Sequence, residues 1–235
     1  MLSRLGMTTD QVIAVFAEEI SARGGEVTDT FNDCDRLFTR SILAQSGEVR
    51  PGDTVQGGVA LKATDDEICL YPYLFRLVCT NGAIMAQTLG SRTVADSDSW
   101  EPDLVVQAIR EGVEACTEEA FQSNVEKMQI SSTVEADLAL NLLPLASLLS
   151  RHSGPELLSQ VMDRFFSGGD RTRFGLVNAI TSWARDTRDP ALKWELEEYG
   201  GSVAFGAMAE QPFSRERTVV SRANRLMGVG GACSR

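Results

Sequence analysis

Residues Pro51 to Arg92 read P-G-D-T-V-Q-G-G-V-A-L-K-A-T-D-D-E-I-C-L-Y-P-Y-L-F-R-L-V-C-T-N-G-A-I-M-A-Q-T-L-G-S-R, and this stretch decides the fold. Val55, Val59, Leu61 and Ala63 largely alternate with other residues, as one half-buried face of a strand requires. Thr64-Asp-Asp-Glu67 supplies polar residues for a tight connection. From Ile68 to Thr80 the chain is apolar on both parities, the pattern of a central strand covered on both faces. Pro72 has no amide hydrogen for a ladder, which predicts a bulge or a strand break there. Asn81-Gly82 predicts a type I′ turn, and Ala86–Arg92 a third strand. The expectation is an antiparallel meander.

Arg76 breaks the apolar pattern. A guanidinium between Phe75 and Leu77 is costly to bury alone. Two readings stay open: it pairs with a carboxylate or reaches the sheet surface, or it faces an anionic ligand.

The arrangement of Gly52, Asp53, Val55, Gly58 and Val59, followed by Arg76-Leu-Val-Cys-Thr-Asn-Gly82, resembles the bacterial, phage and plasmid family known as domain of unknown function 932. Arg173-Phe-Gly-Leu-Val-Asn-Ala-Ile-Thr-Ser-Trp-Ala-Arg185 is similar to a later segment of that family, as is the helix expected to end at Leu196–Gly201. Between Ala60 and Glu67 the chain differs from the S-N-S-E-x-G turn frequent in that family, so no role of that turn is carried over. The resemblance implies a mobile-element setting and a remote likeness to ring-forming single-strand annealing proteins.

Composition narrows the classes. The chain has 235 residues, 43% of them hydrophobic, enough for a sizeable core. No apolar run approaches the roughly 18–20 residues that cross a bilayer, and no export signal opens the sequence, so a cytoplasmic location without membrane contact is expected. Five cysteines without a CxxC pair, and His152 as the one histidine, argue for reduced thiols and against a zinc site or a histidine-based triad. Net charge is −11, unevenly spread: residues 151–235 hold 12 Lys/Arg against 10 Asp/Glu, residues 1–150 hold 10 against 23. The arginine-rich last third suits bidentate phosphate or carboxylate contacts. Pairing with the acidic half of a neighbouring copy is the competing use.

Flanking elements follow from caps and periodicity. Thr8 and Gln11 form a capping box for a first helix that Gly24-Gly25 stops. Residues 27–44 leave strand and helix open. Ser99 is expected to cap a long helix to about Met128, with Val105, Ile109, Gly112, Cys116 and Ala120 inward and Glu111, Glu114, Glu118 and Glu119 outward. A leucine-rich segment to Ser150 contains Pro144, which kinks or divides it. Ser167-Gly-Gly-Asp170 reads as a helix stop followed by a cap. Asp189-Pro190 opens a helix to about Tyr199.

The expected fold class is therefore α+β: a small antiparallel β-meander packed against a mostly helical second half, with residues 1–211 as one domain and 212–235 as a basic C-terminal arm. No cofactor, no metal and no catalysis are expected. The expected function is non-catalytic binding of single-stranded DNA by a homo-oligomer, extending to strand annealing. Arg76, Arg92, Arg171 and Arg173 would track the backbone, and Tyr71 and Tyr73 would stack on bases. The alternative is a self-assembling structural or defence-associated module that binds no nucleic acid.

Overall fold

The computed structural model describes residues 6–32, 36–64, 67–86, 92–95, 101–152 and 156–206. The expected arm 212–235, the Asp65-Asp66 connection and the Ser99 cap lie outside the described residues, as do the side chains of Arg92, Glu118 and Glu119.

The architecture is α+β. Among the described residues, helix α1 (Thr9–Ser21) precedes seven strands: β1 (Glu26–Asn32), β2 (Arg36–Ile42), β3 (Ser46–Arg50), β4 (Asp53–Thr64), β5 (Glu67–Arg76), β6 (Asn81–Ile84) and β7 (Arg92–Ala95). The described residues then form the helices α2 (Pro102–Ser131), α3 (Leu138–Ser150), α4 (Glu156–Ser167), α5 (Arg173–Asp186) and α6 (Pro190–Phe205). The strands form one antiparallel sheet in the order β1-β2-β4-β5-β6, with β3 also on β4 and β7 also on β5. The open segment 27–44 thus becomes β1 and β2.

β4 and β5 pair over their length, from Val55 opposite Arg76 to Ala63 opposite Ile68. Val59, Leu61, Ala63, Ile68 and Leu70 face α1 and α2, joining Val12, Phe16, Ile20, Val105 and Ile109. Ala60, Cys69, Tyr71 and Tyr73 face the other way, onto Ile84 and Trp194 of α6. Cover on both faces is the reason β5 is apolar on both parities. A third cluster joins α3, α4, α5 and α6 to Val49, Val55, Leu74 and Met85.

Pro72 neither bulges nor breaks β5. It pairs with Val59, and the interruption falls in the neighbouring strands: β7 covers Glu67–Leu70 and β6 covers Tyr73–Arg76. The proline sits where its missing N–H has no ladder partner to disappoint, and its carbonyl accepts from Met85 N at 2.8 Å. On the far side of β4, Leu43 donates to the Gly57 carbonyl and Gly57 to the Gln45 carbonyl, a bulge that carries the chain from β2 to β3.

Asn81-Gly82 is not the turn. Leu77–Thr80 makes it, with Thr80 at φ +51°, and Asn81 and Gly82 lie in β6 opposite Arg76 and Phe75. Gly82 is needed because a Cβ there would collide with the Tyr73 hydroxyl. The expected third strand 86–92 also shifts: β6 stops at Ile84 and β7 begins at Arg92, with 87–91 outside the described residues.

The helices hold three further surprises. Glu101, making no side-chain cap bond, stands at the N-cap of α2. Pro144 lies inside α3 without dividing it. α6 runs past Tyr199 to Phe205, because Gly200 and Gly201 are contact positions and not an ending: a Cβ on Gly201 would strike the Ile84 carbonyl of β6. The α1 capping box forms as expected, with Thr8 N donating to Gln11 Oε1 at 2.8 Å and Gln11 N to Thr8 Oγ1 at 3.2 Å.

Candidate functional site

The arginines divide into two sets, and the division locates the site. Arg76 belongs to the first. Its Nε and Nη2 donate to the two carboxylate oxygens of Asp53, each at 2.6 Å, and its Nη1 donates to Cys79 Sγ at 2.9 Å. Burial works against its charge and the Asp53 carboxylate more than offsets it. Of the two open readings, the carboxylate pair is what the structure contains.

Phe174, at the start of α5, lies between two such pairs. The guanidinium carbon of Arg76 is 5.3 Å from its ring centre and that of Arg50 is 5.1 Å. Arg50 Nη1 donates to Asp170 Oδ2 at 2.6 Å, and its Nη2 to the Ser132 carbonyl at 2.6 Å and to Thr172 Oγ1 at 3.0 Å. Burial pushes the Asp170 carboxyl up, but hydrogen bonds from Arg50 and Thr172 hold it below the usual range. These contacts fasten the start of α5 to β3, β4 and β5.

A deeper pair went unseen in the sequence. Arg40 of β2 and Glu197 of α6, each 2% exposed, meet at 2.5 Å, with Arg40 also 3.3 Å from Asp29 and over the Trp194 ring at 5.4 Å. Burial raises the Glu197 carboxyl in spite of Arg40. Lys193 reaches Asp29 at 2.6 Å, so four charges tie α6 to the outer strands. The only signal in sequence was one arginine in a mostly apolar run, Leu37-Phe-Thr-Arg-Ser-Ile-Leu43.

Tyr71 and Tyr73 do not form a stacking surface. They are 6% and 4% exposed, Tyr71 packs 6.1 Å from Trp194, and burial pushes the Tyr73 hydroxyl well above its ordinary range. A base would reach either only by separating the sheet from α6. That assignment is corrected.

Arg171 and Arg173 form the second set. Among the described residues neither has a carboxylate within ion-pair distance, nor does Arg188, whereas Arg40, Arg50, Arg76, Arg151, Arg164 and Arg185 all do. Local chemistry fixes the backbone that carries Arg171 and Arg173. Gly169, at φ +74°, reverses the chain after α4, and Asp170 Oδ1 accepts from Thr172 N and Oγ1 at 3.0 and 2.6 Å. Thr172 then caps α5, its Oγ1 accepting from Gly175 N at 3.3 Å. The expected helix stop forms at Ser167–Gly169, while the cap falls two residues beyond Asp170, at Thr172. A short antiparallel bridge from Thr172 to Glu135 braces the segment, with Arg173 N donating to the Val134 carbonyl at 2.8 Å. The Arg173 guanidinium lies against Gly206, at the C-terminal end of α6, where a cation is favoured.

Arg171 donates to the carbonyls of Phe165 and Phe166 at 2.9 and 3.1 Å. Nearby, Arg164 and Arg185 share Asp186, and Arg185 Nη1 donates to the Cys79 carbonyl. So the structure sets Arg171 over the end of α4 and Arg173 at the end of α6, and consumes Arg76 in an ion pair.

Other chemistry is sparse. Among the described residues no three His, Cys, Asp or Glu side chains converge to hold a metal ion, and no helix is long and apolar enough to cross a membrane. The enclosed gap between Gln45, Gly57, Pro72, Cys116 and Phe121 has no space for a water molecule.

Compared with protein-family models, with curated proteins and with solved structures, the chain finds no match.

Proposed function

We propose that this chain is a non-catalytic binding protein whose ligand is single-stranded DNA, held on the segment between α4 and α5. The observation that carries the reading is the pair Arg171 and Arg173, lacking carboxylate partners among the described residues of a chain with net charge −11. In an acidic protein an exposed guanidinium without a carboxylate is where an external anion gains most, and phosphate suits the planar fork. The arginine excess of the last third supports the same reading. The acidic remainder would repel DNA from other faces.

The test is a gel-shift series at low salt with single- and double-stranded oligonucleotides. Wild type should retard the single strand, and Arg171→Gln/Arg173→Gln should not. No retardation by wild type at low salt, where phosphate contacts are strongest, ends the reading.

A second reading has its own observation: Leu143 of α3 is 80% exposed and Ile130 is 52% exposed. Apolar side chains so open suit contact between copies, as in a homo-oligomer that binds protein alone. Under it, Leu143→Glu would reduce the mass seen by light scattering while DNA binding stays absent throughout.

A further inference from the structure

Phe166, near the end of α4, is an open aromatic side chain beside Arg171. It is 50% exposed, while its neighbour Phe165 is 2% exposed and anchored in the core with Val161 and Phe174. The two rings stand 5.4 Å apart at 60°. The guanidinium carbon of Arg171 lies 4.9 Å from the Phe166 ring centre and 5.4 Å from that of Phe165. Two hydrogen bonds to the carbonyls of the same residues fix its plane.

We infer that Phe166 and Arg171 form a stacking platform for one unpaired nucleobase, two residues away from the phosphate-facing Arg173. The inference rests on the single-stranded DNA reading and names its base-contacting subsite. A ligand for this surface must offer a flat π-face and a negative charge a few ångströms apart. A nucleotide unit of a single strand offers both, and its base is free to stack because it is unpaired. The guanidinium is already ordered by two rings and two carbonyls, so little side-chain freedom remains to be lost on binding. Because no carboxylate among the described residues neutralises it, its charge stays available to the phosphate. The turn at Gly168-Gly169, where Gly168 N donates to the Arg164 carbonyl, is what returns Arg171 over the end of α4. The competing role for Arg171 is as a cap for the last carbonyls of α4 and nothing more.

The experiment compares binding of a fluorescent single-stranded oligonucleotide with an abasic strand of equal length, which keeps the phosphates and lacks the bases. Wild type should prefer the base-bearing strand by roughly tenfold for each stacked base. Phe166→Ala should lose that preference while its affinity for the abasic strand is unchanged, and Phe166→Tyr should keep it. In the unaltered protein, 2-aminopurine placed in the strand should lose fluorescence on binding, so the result does not depend on a variant folding. Equal binding of both strands by wild type, or a preference that survives Phe166→Ala, overturns the platform and leaves the DNA reading standing. Binding of neither strand removes the DNA reading and the platform with it.

Discussion

Arg40 and Arg171 both lie over aromatic rings, and the contrast between them explains how an acidic chain divides its arginines. Arg40 is 2% exposed and held by Glu197, Asp29 and Trp194 between the sheet and α6. Arg171 is exposed, held by two carbonyls and two phenyl rings, with no carboxylate among the described residues. The first arrangement satisfies the charge within the fold. The second fixes the side chain and leaves its charge available. Arg76, joined to Asp53 beside Phe174, belongs with Arg40.

That contrast breaks first where the ion pair is deepest. Glu197→Ala leaves a buried guanidinium uncompensated and should cost about 3–5 kcal/mol of stability in denaturant melts. Arg40→Met/Glu197→Leu, which removes both charges and keeps the volume, should recover most of that loss. A double variant as unstable as the single would mean that packing, not charge, sets the cost.

One step outward, Asp53→Asn weakens a two-point charged contact that is mostly shielded from water, the side chains being 18% and 13% exposed. It should cost roughly 1.5–3 kcal/mol. If Asp53→Asn is silent, Arg76 is not committed to the fold and returns as a ligand contact.

A smaller effect comes with acid. Asp170 has its folded-state carboxyl held below its unfolded range, and so does Asp29 under Lys193, although burial opposes both. Depressed carboxyls contribute stability above the unfolded pKa and lose it as pH falls through the folded value. Melting temperature should therefore decline below about pH 4, and Asp170→Asn should flatten that decline. The smallest effect belongs to Arg171→Gln/Arg173→Gln, which gives up the Arg171 bonds to the last carbonyls of α4 and the Arg173 contact at the end of α6 and should cost about 1 kcal/mol at neutral pH.

How much of this was legible in the sequence depends on whether the decisive interaction was local. β4 and β5 show in their apolar alternation and α1 in its capping box, because periodicity and caps act over a few residues. Asn81-Gly82 misleads because its turn chemistry is strong, while its actual use lies at a distance: Asn81 donates to Thr181 of α5 and Gly82 makes room for Tyr73. Gly200 and Gly201 mislead likewise, being set by Thr181 and Ile84 across the α6 interface. The stacking role given to Tyr71 and Tyr73 was inconsistent with a β5 apolar on both faces, so the sequence already spoke against it. For the candidate site, Arg171 and Arg173 were visible as part of an arginine excess. Which arginines lack carboxylates was not, since Asp53–Arg76 and Arg50–Asp170 are pairs made by the fold.

If Arg171 and Arg173 face phosphate while the paired arginines do not, the salt dependence of binding shows it most directly. Removing one cation that neutralises a phosphate of a single strand lowers the slope of log affinity against log salt by about 0.7. Arg171→Gln/Arg173→Gln should reduce the wild-type slope by about 1.4, whereas Arg151→Gln, whose guanidinium pairs with Glu195, should leave it unchanged. Parallel slopes for wild type and the double variant would contradict that assignment.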